Sequence, residues 1–241
     1  MIPGPQKAQN PSFSIRAVFF DVDFTLIYPG PTFQAEGYRR ACARHGVEVD
    51  PAKFDEATAA SSFILDEVEE QIYTHDVFVH YTASIIEKMG GRGASVVEAA
   101  REIYDQWSVN HHFEMYDDVG PVLEAVQKRG LTVGLISNSH RSLDAFSEHF
   151  SLANIVSVSV SGAEHGYMKP HPSIFEKALD RANVKASEAM MVGDSLKHDI
   201  EGALNAGWHA VLLRRSGEVP YRLPQHLPVI RTLTELLPLL A

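Results

Sequence analysis

The sequence predicts an α/β fold, a doubly wound parallel sheet with an all-helical block inserted after its first strand. Short apolar runs alternate with amphipathic segments of about ten residues from Met115 onward, which is the pattern of consecutive βαβ units. Residues 31–112 instead show helical periodicity without a strong strand pattern, although a buried strand is predicted before them at 17–20. Because that early strand belongs to the same sheet, the helical residues form an insertion and not a separate upstream domain.

Composition limits the possible functions. The 241 residues have a formal net charge of −10, which argues against a general nucleic-acid surface because phosphate backbones are held by clustered Lys and Arg. No apolar stretch approaches the roughly 18 residues that span a bilayer, and the first ten residues lack the basic region and apolar core of a signal peptide. Cys42 is the single cysteine, so an intrachain disulfide is excluded. We therefore expect a cytoplasmic protein without a membrane or nucleic-acid partner.

The elements follow in chain order. Residues 1–14 are a proline-containing lead-in, residues 15–30 and 113–241 form the predicted core, and residues 31–112 form the helical block, entered through a Pro- and Gly-rich linker at 28–31. Helices of the block are predicted around residues 33–42, 51–65, 76–89 and 94–107. In the core we predict helices at 118–129, 139–150, 172–182 and 197–206, strands at 131–136, 155–160, 189–192 and 208–213, a proline-rich tail at 220–228 and a short final helix at 232–237.

Polar side chains follow the predicted strands where each strand ends. Asp21 and Asp23 follow the first strand, and later strands are followed by Ser137, Asn138, Lys169 and Asp194. Because the carboxyl ends of parallel strands lie along one edge of a doubly wound sheet, these side chains are expected to converge on one pocket. Alone, the Asp21-Val22-Asp23 sequence is equally typical of a turn or a helix N-cap.

The residue types expected at this edge are suited to binding a cation and a phosphoryl group. The carboxylates of Asp21, Asp194 and Asp199 would repel one another unless a hard cation lies among them, and Mg²⁺ prefers oxygen ligands. Hydroxyl, amide and ammonium groups nearby could then hold the oxygens of a phosphoryl group. The residues that carry these groups are Ser137, Asn138 and Lys169.

Four short motifs stand in a characteristic order: DVDFTL at 21–26, Ser137-Asn138, Lys169-Pro170 and GDSLKHD at 193–199. On these motifs the sequence resembles the haloacid dehalogenase-like (HAD) superfamily of hydrolases from about residue 15 to residue 213. It resembles the subgroup whose helical cap is inserted after the first strand, as in phosphoglycolate-phosphatase-like enzymes. The resemblance implies a Rossmann-like core and a helical-bundle cap.

The resemblance also implies a role for each motif residue. Asp21 would be the nucleophile that forms an aspartyl-phosphate, and Asp23 would be the general acid and base. The implied ligands of Mg²⁺ are the Asp21 carboxylate, the backbone carbonyl of Asp23 and the Asp194 carboxylate, with Asp199 in a supporting role. The implied phosphoryl contacts are Ser137, the backbone at Asn138, and Lys169. These roles describe a phosphatase acting on a small phosphorylated metabolite. We expect a monomer or a homodimer, since cap helices can also bury an apolar face against a second subunit.

Other functions share these motifs. A 2-haloacid dehalogenase needs the first aspartate but no acid for an alkoxide, so Asp23 argues against that reaction. A phosphomutase would need a cap that retains a bisphosphate. A phosphate-binding module with feeble turnover is favoured only by Phe24, which stands where the superfamily usually has Gly in a tight loop. His171 and His198 also depart from the usual residues of their motifs, and leave open the fit of the substrate.

Overall fold

The computed structural model describes residues 15–217 and 222–240, so the predicted lead-in at 1–14 and the first residues of the proline-rich tail lie outside the described residues. A six-stranded parallel sheet, in the order β5-β4-β1-β6-β7-β8, confirms the α/β fold. The strands are β1 Ala17–Phe20, β2 Ile27–Pro29, β3 Phe113–Met115, β4 Thr132–Ser137, β5 Val156–Ser161, β6 Ala189–Gly193, β7 His209–Leu213 and β8 Val229–Ile230.

Helices cover both faces of the sheet and occupy the segment between β2 and β3. The α-helices are α1 Ala35–Arg44, α2 Phe54–Ala59, α3 Phe63–Asp66, α4 His75–Lys88, α5 Val96–Gln106, α6 Val119–Lys128, α7 Leu143–His149, α8 Gly162–His165, α9 Pro172–Ala182 and α10 Gly202–Asn205. A π-helical turn spans Leu196–Glu201, and a 3₁₀ helix spans Leu233–Leu240. Within the described residues, no helix is long and apolar enough to cross a membrane.

β1 lies inside the sheet between β4 and β6, and its side chains are buried on both faces. Val18 and Phe20 join one apolar cluster, whereas Ala17 and Phe19 join the other. The Phe19 ring lies against the backbone of β4, where a Cβ on Gly134 would come within 2.3 Å of the ring. An apolar run buried on both faces is typical of parallel sheets and fixes the position of the residues that follow it.

The Pro- and Gly-rich residues 28–31 do not form a simple linker. β2 pairs with β3 in an antiparallel two-stranded ribbon, and the Tyr28 hydroxyl donates a hydrogen bond to Glu114 Oε2 at 2.6 Å. Both connections to the helical segment are therefore joined to each other. The pairing links residues 86 positions apart, so the local breaker pattern could not reveal it.

Other predicted elements differ at their ends. The predicted helix at 51–65 is broken into α2 and α3. α7 begins at Leu143 and not at 139, because the Ser142 hydroxyl accepts a hydrogen bond from the Ala145 amide and caps the helix there. β8 was not predicted, since two residues in a proline-rich tail carry no strand pattern. The remaining predicted core strands agree with the structure to within about two residues, the usual uncertainty of element ends.

Candidate active site at the carboxyl edge of the sheet

The loop after β1 is tight and carries Phe24 in a left-handed conformation. The Asp21 amide donates to Val192 O at 2.9 Å, which continues the β1–β6 ladder into the loop. The Phe24 amide donates to Ile27 O at 2.7 Å and closes the turn. Phe24 has φ +65°, the region that favours glycine, and its side chain is 47% exposed toward a cavity above the sheet edge. The loop therefore accommodates a Cβ by directing the phenyl ring out of the turn.

Lys169 is the centre of the polar network at the sheet edge. Its buried ammonium donates to Asp21 Oδ1 at 2.7 Å, to Asp199 Oδ1 at 2.6 Å and to Ile136 O at 2.8 Å. Burial acts to lower the pKa of Lys169, but the two carboxylates outweigh burial and raise it. The three donors of the ammonium are thus engaged, and Lys169 holds Asp21 in place as a charged partner.

Asp199 is fixed from two sides. Besides Lys169, the Ser195 amide donates to Asp199 Oδ2 at 2.9 Å. A Cβ on Gly193 would lie 2.2 Å from that oxygen, so the close approach of Asp199 requires glycine at this position. The π-helical turn begins at Leu196, where an ordinary α-helix was predicted, because the Ser195 carbonyl accepts from the amides of both Asp199 and Ile200. Single π-turns of this kind are frequent at functional sites.

Three carboxylates meet beside this network. Oxygens of Asp21, Asp194 and Asp199 lie within 4.8 Å of one another. Burial, and then the neighbouring Asp199, raises the pKa of Asp194 to about 7. The pKa of Asp21 is also raised, first by burial and against the attraction of Lys169. Oxygen donors that are buried and mutually repelling fit a divalent cation such as Mg²⁺, which would favour their ionised forms.

The residues after β4 take different positions around the cavity. The cavity wall at this point is formed by Asn138 and Ser139, while the buried Ser137 hydroxyl lies 3.0 Å from the Ser139 hydroxyl. The Asn138 side chain exchanges two hydrogen bonds with the backbone of Lys169, at 2.7 and 2.9 Å. The amide side chain of Asn138 therefore clamps the Lys169 loop, and its backbone remains for contact with a ligand.

Arg141 is a site residue that the sequence did not reveal. Its buried guanidinium donates to Asp23 Oδ1 at 2.9 Å and to Trp107 O at 2.8 Å, and it lies 4.3 Å above the centre of the Phe113 ring. Arg141 therefore connects the second aspartate to the last turn of α5. Arg141 and Asp23 are 118 positions apart, and nothing in the sequence around Arg141 distinguishes it from a solvated loop arginine.

The helical segment covers the sheet edge and encloses a cavity. The Tyr73 amide donates to Gly166 O at 2.9 Å, and the Met168 amide donates to Gln71 O at 2.8 Å, so a segment between α3 and α4 is bonded to the loop that precedes Lys169. Lys197 also donates to the carbonyl of Asp66. The enclosed cavity of about 430 Å³ reaches from the carboxylates to α4 and α5.

The order of the motifs and this geometry agree with comparisons to known proteins. A family model for haloacid dehalogenase-like hydrolases matches residues 15–207. The chain belongs to this family. As a haloacid dehalogenase-like hydrolase, it is 30% identical over 220 residues to N-acylneuraminate-9-phosphatase of Mus musculus, a match that covers 86% of this chain and 85% of that protein.

Two other relatives differ in the reaction that their names state. Pyrophosphatase PpaX of Bacillus mycoides is 30% identical over 183 residues, covering 71% of this chain and 82% of that protein. The crystal structure of a 2-haloacid dehalogenase from Pseudomonas syringae superposes with a TM-score of 0.63 and 26% identity, covering 94% of this chain and 98% of that chain. The hydrolase family and the homology to phosphatases are therefore established, whereas the substrate is not.

Proposed function

We propose that the protein is a Mg²⁺-dependent phosphatase that hydrolyses a small phosphorylated metabolite through an aspartyl-phosphate. In this proposal, residues 15–30 and 113–241 form the catalytic core, and residues 31–112 form a cap over it. The observation that carries the proposal is the pair of aspartates on one loop, each with its own cationic partner: Asp21 with Lys169 at 2.7 Å, and Asp23 with Arg141 at 2.9 Å. A hydrolase that displaces an alkoxide needs the first as nucleophile and the second as acid.

The first half of the reaction breaks the ester bond. The Asp21 carboxylate attacks phosphorus in line, the bond from phosphorus to the ester oxygen breaks, and Asp23 gives a proton to the departing oxygen. Lys169 keeps the Asp21 carboxylate in position, and because its three donors are engaged it acts on the phosphoryl group through its positive charge. The phosphoryl oxygens contact the Asn138 backbone and the hydroxyls of Ser137 and Ser139. Arg141 holds Oδ1 of Asp23, so Oδ2 is the oxygen that carries the proton.

The second half releases phosphate. Asp23 takes a proton from a water molecule, the water oxygen attacks phosphorus, and the bond between phosphorus and Asp21 breaks. Mg²⁺ bound by the Asp21 and Asp194 carboxylates and the Asp23 carbonyl, with Asp199 in support, would supply positive charge for the phosphoryl oxygens. The cap would limit the access of bulk water to the reacting groups during this step.

The relatives supply candidate substrates. The names of the relatives in Mus musculus and Bacillus mycoides point to an N-acylneuraminate 9-phosphate and to pyrophosphate, and both compounds belong in the first substrate panel. The expectation of a cytoplasmic monomer or homodimer stays a prediction.

Phosphate release from a panel of phosphorylated metabolites and from acetyl phosphate tests the proposal. We expect activity with Mg²⁺ that is abolished by chelation and by Asp21→Asn, because the amide is a poor nucleophile and a poor cation ligand. Asp180→Asn, an exposed aspartate on α9, is the matched control and should keep full activity. Normal turnover by Asp21→Asn would refute the assignment of the nucleophile.

A hydrolytic 2-haloacid dehalogenase is the second candidate, because the similarity to the Pseudomonas syringae structure spans nearly the whole chain. In that reaction Asp21 would displace halide, and Asp23 would have no leaving alkoxide to protonate. Halide release from 2-chloropropionate that persists after metal removal, without phosphatase activity, would favour the dehalogenase. The same panel therefore distinguishes the two reactions.

A further inference from the structure

The cavity has two unlike walls. Its floor carries the carboxylates of the strand ends together with Lys169, the single Lys or Arg among the described residues that line the cavity. His198 also lies there, and burial lowers the pKa of its imidazole. The opposite wall, which we call the cap wall, comes from the helices between 31 and 112 and is apolar. Its main members are Phe54, Leu65, Phe78, Ile85, Ile103 and Trp107.

The polar groups of the cap wall are hydroxyls and one carboxamide, none of them charged. The Tyr104 hydroxyl lies 3.0 Å from the Tyr73 hydroxyl. Burial raises the pKa of both Tyr38 and Tyr104, so both phenols are neutral. Thr58 Oγ1 is buried and has no partner in the structure. On the cap wall a ligand therefore meets apolar surface, neutral rings, hydroxyls and the Gln34 side chain, and no Lys or Arg among the described residues.

Phe24 extends this apolar surface down to the reacting groups. Its ring lies 6.4 Å from the Trp107 ring, and it comes from the loop that carries Asp21 and Asp23. A side chain at φ +65° is unfavourable in that loop, where glycine would fit without strain. The ring therefore places apolar surface on the cavity next to Asp21 and Asp23, although its left-handed backbone conformation is unfavourable for a non-glycine residue.

We propose that the physiological substrate is the phosphate monoester of an apolar alcohol, aliphatic or aromatic, that bears no second anionic group. This inference rests on the proposed phosphatase function and specifies its leaving group. A carboxylate or a second phosphoryl group on the alcohol would be buried against the cap wall without a cation to pair with it, so we expect N-acylneuraminate 9-phosphate and pyrophosphate to be poor substrates. An apolar group instead gains from burial, by about four-fold in kcat/KM for each methylene that leaves water.

Alkyl phosphates test the inference. Ethyl, butyl and hexyl phosphate form a series in chain length, and 6-phosphooxyhexanoate differs from hexyl phosphate chiefly by a distant carboxylate. We expect kcat/KM to rise by about four-fold per methylene until the cavity is filled, and to fall by about ten-fold or more with the carboxylate. Equal or faster hydrolysis of the carboxylated ester would overturn the inference.

Acetyl phosphate distinguishes an error in the inferred leaving group from an error in the phosphatase proposal. It is small and reactive, so its hydrolysis needs little contact with the cap wall. If the protein hydrolyses acetyl phosphate but prefers the carboxylated ester, the inference of an apolar substrate is refuted and the phosphatase proposal is retained. No phosphate release from acetyl phosphate or from any ester would refute the phosphatase proposal and this inference with it.

A charge placed on the cap wall gives an independent test. Leu65 is half-buried, so Leu65→Lys can add an ammonium while keeping most of the helix contacts. We expect it to shift the ratio of kcat/KM values toward 6-phosphooxyhexanoate by about ten-fold, since it supplies the missing cation. Leu65→Met alters the shape without adding charge. An equal shift in Leu65→Met, or no shift in a Leu65→Lys protein with normal thermal unfolding, would contradict the inference.

Discussion

Replacing Arg141 by Met would remove the cationic partner of Asp23 while keeping an apolar side chain against the rings of Phe113 and Phe146. The Arg141 side chain is fully buried and that of Asp23 is 18% exposed. Breaking a buried ion pair by removing one partner costs about 3–5 kcal/mol. Because water still reaches Asp23, we expect the lower end, about 3 kcal/mol, for the loss in the free energy of unfolding. In urea this corresponds to a fall in the midpoint of about 1 M or more.

A double-mutant cycle with Asp23→Asn isolates the pair from general repacking. We expect Arg141→Met to lower the free energy of unfolding by about 1.5–3 kcal/mol less when residue 23 is already Asn. In that background no carboxylate is left unpaired by the loss of the guanidinium. Arg141→Lys keeps the charge but loses the planar fork that reaches both Asp23 and Trp107, so its cost should be intermediate. Equal costs of Arg141→Met in the two backgrounds, within about 0.5 kcal/mol, would refute the proposed coupling.

Catalysis gives a second measurement that a purely structural role would not affect. In the proposed mechanism Arg141 positions Asp23, whose proton matters most when the leaving alkoxide is strongly basic. Arg141→Met should therefore lower kcat for alkyl phosphates much more than for 4-nitrophenyl phosphate, whose leaving group needs little protonation. A uniform loss across both esters would show that Arg141 only maintains the fold.

Three further predictions follow from single residues. Phe24→Gly should raise the free energy of unfolding by about 0.5–1 kcal/mol in urea, because glycine relieves the left-handed strain, while lowering kcat/KM for hexyl phosphate; a loss of stability would contradict the strain. Cys42 is buried with a thiol pKa raised to about 11 by desolvation, so at pH 8 it is protonated and should react with a disulfide reagent only after unfolding; rapid labelling of the native protein would disprove this. Gly193→Ala should displace Asp199 and abolish the rise in Tm that we expect Mg²⁺ to give the wild-type protein, whereas Gly120→Ala, with nothing within 4 Å of the new Cβ, should keep it.

The sequence alone determined the core and the floor of the site. The apolar run of β1 forms a buried strand because both of its faces are covered, and that requirement is visible locally in the residues themselves. Parallel strands end along one edge, so polar residues at successive strand ends had to meet there. The structure accordingly places Lys169 within 2.7 Å of Asp21, although the two residues are 148 positions apart. Phe24 was also recognised from the sequence as the main departure in this loop.

Tertiary structure decided the rest. The partner of Asp23 is Arg141, and the pairing of β2 with β3 joins the two connections of the helical segment. These contacts depend on how distant segments come together and leave no periodic pattern in the sequence. The sequence likewise showed amphipathic helices between 31 and 112 without showing which apolar residues face one another and which face the active site. An apolar residue in the helix core and one on a ligand cavity look the same in a sequence. Only the folded structure shows that the described surface of residues 31–112 over the carboxylates carries no Lys or Arg, and the proposed leaving group is inferred from that surface.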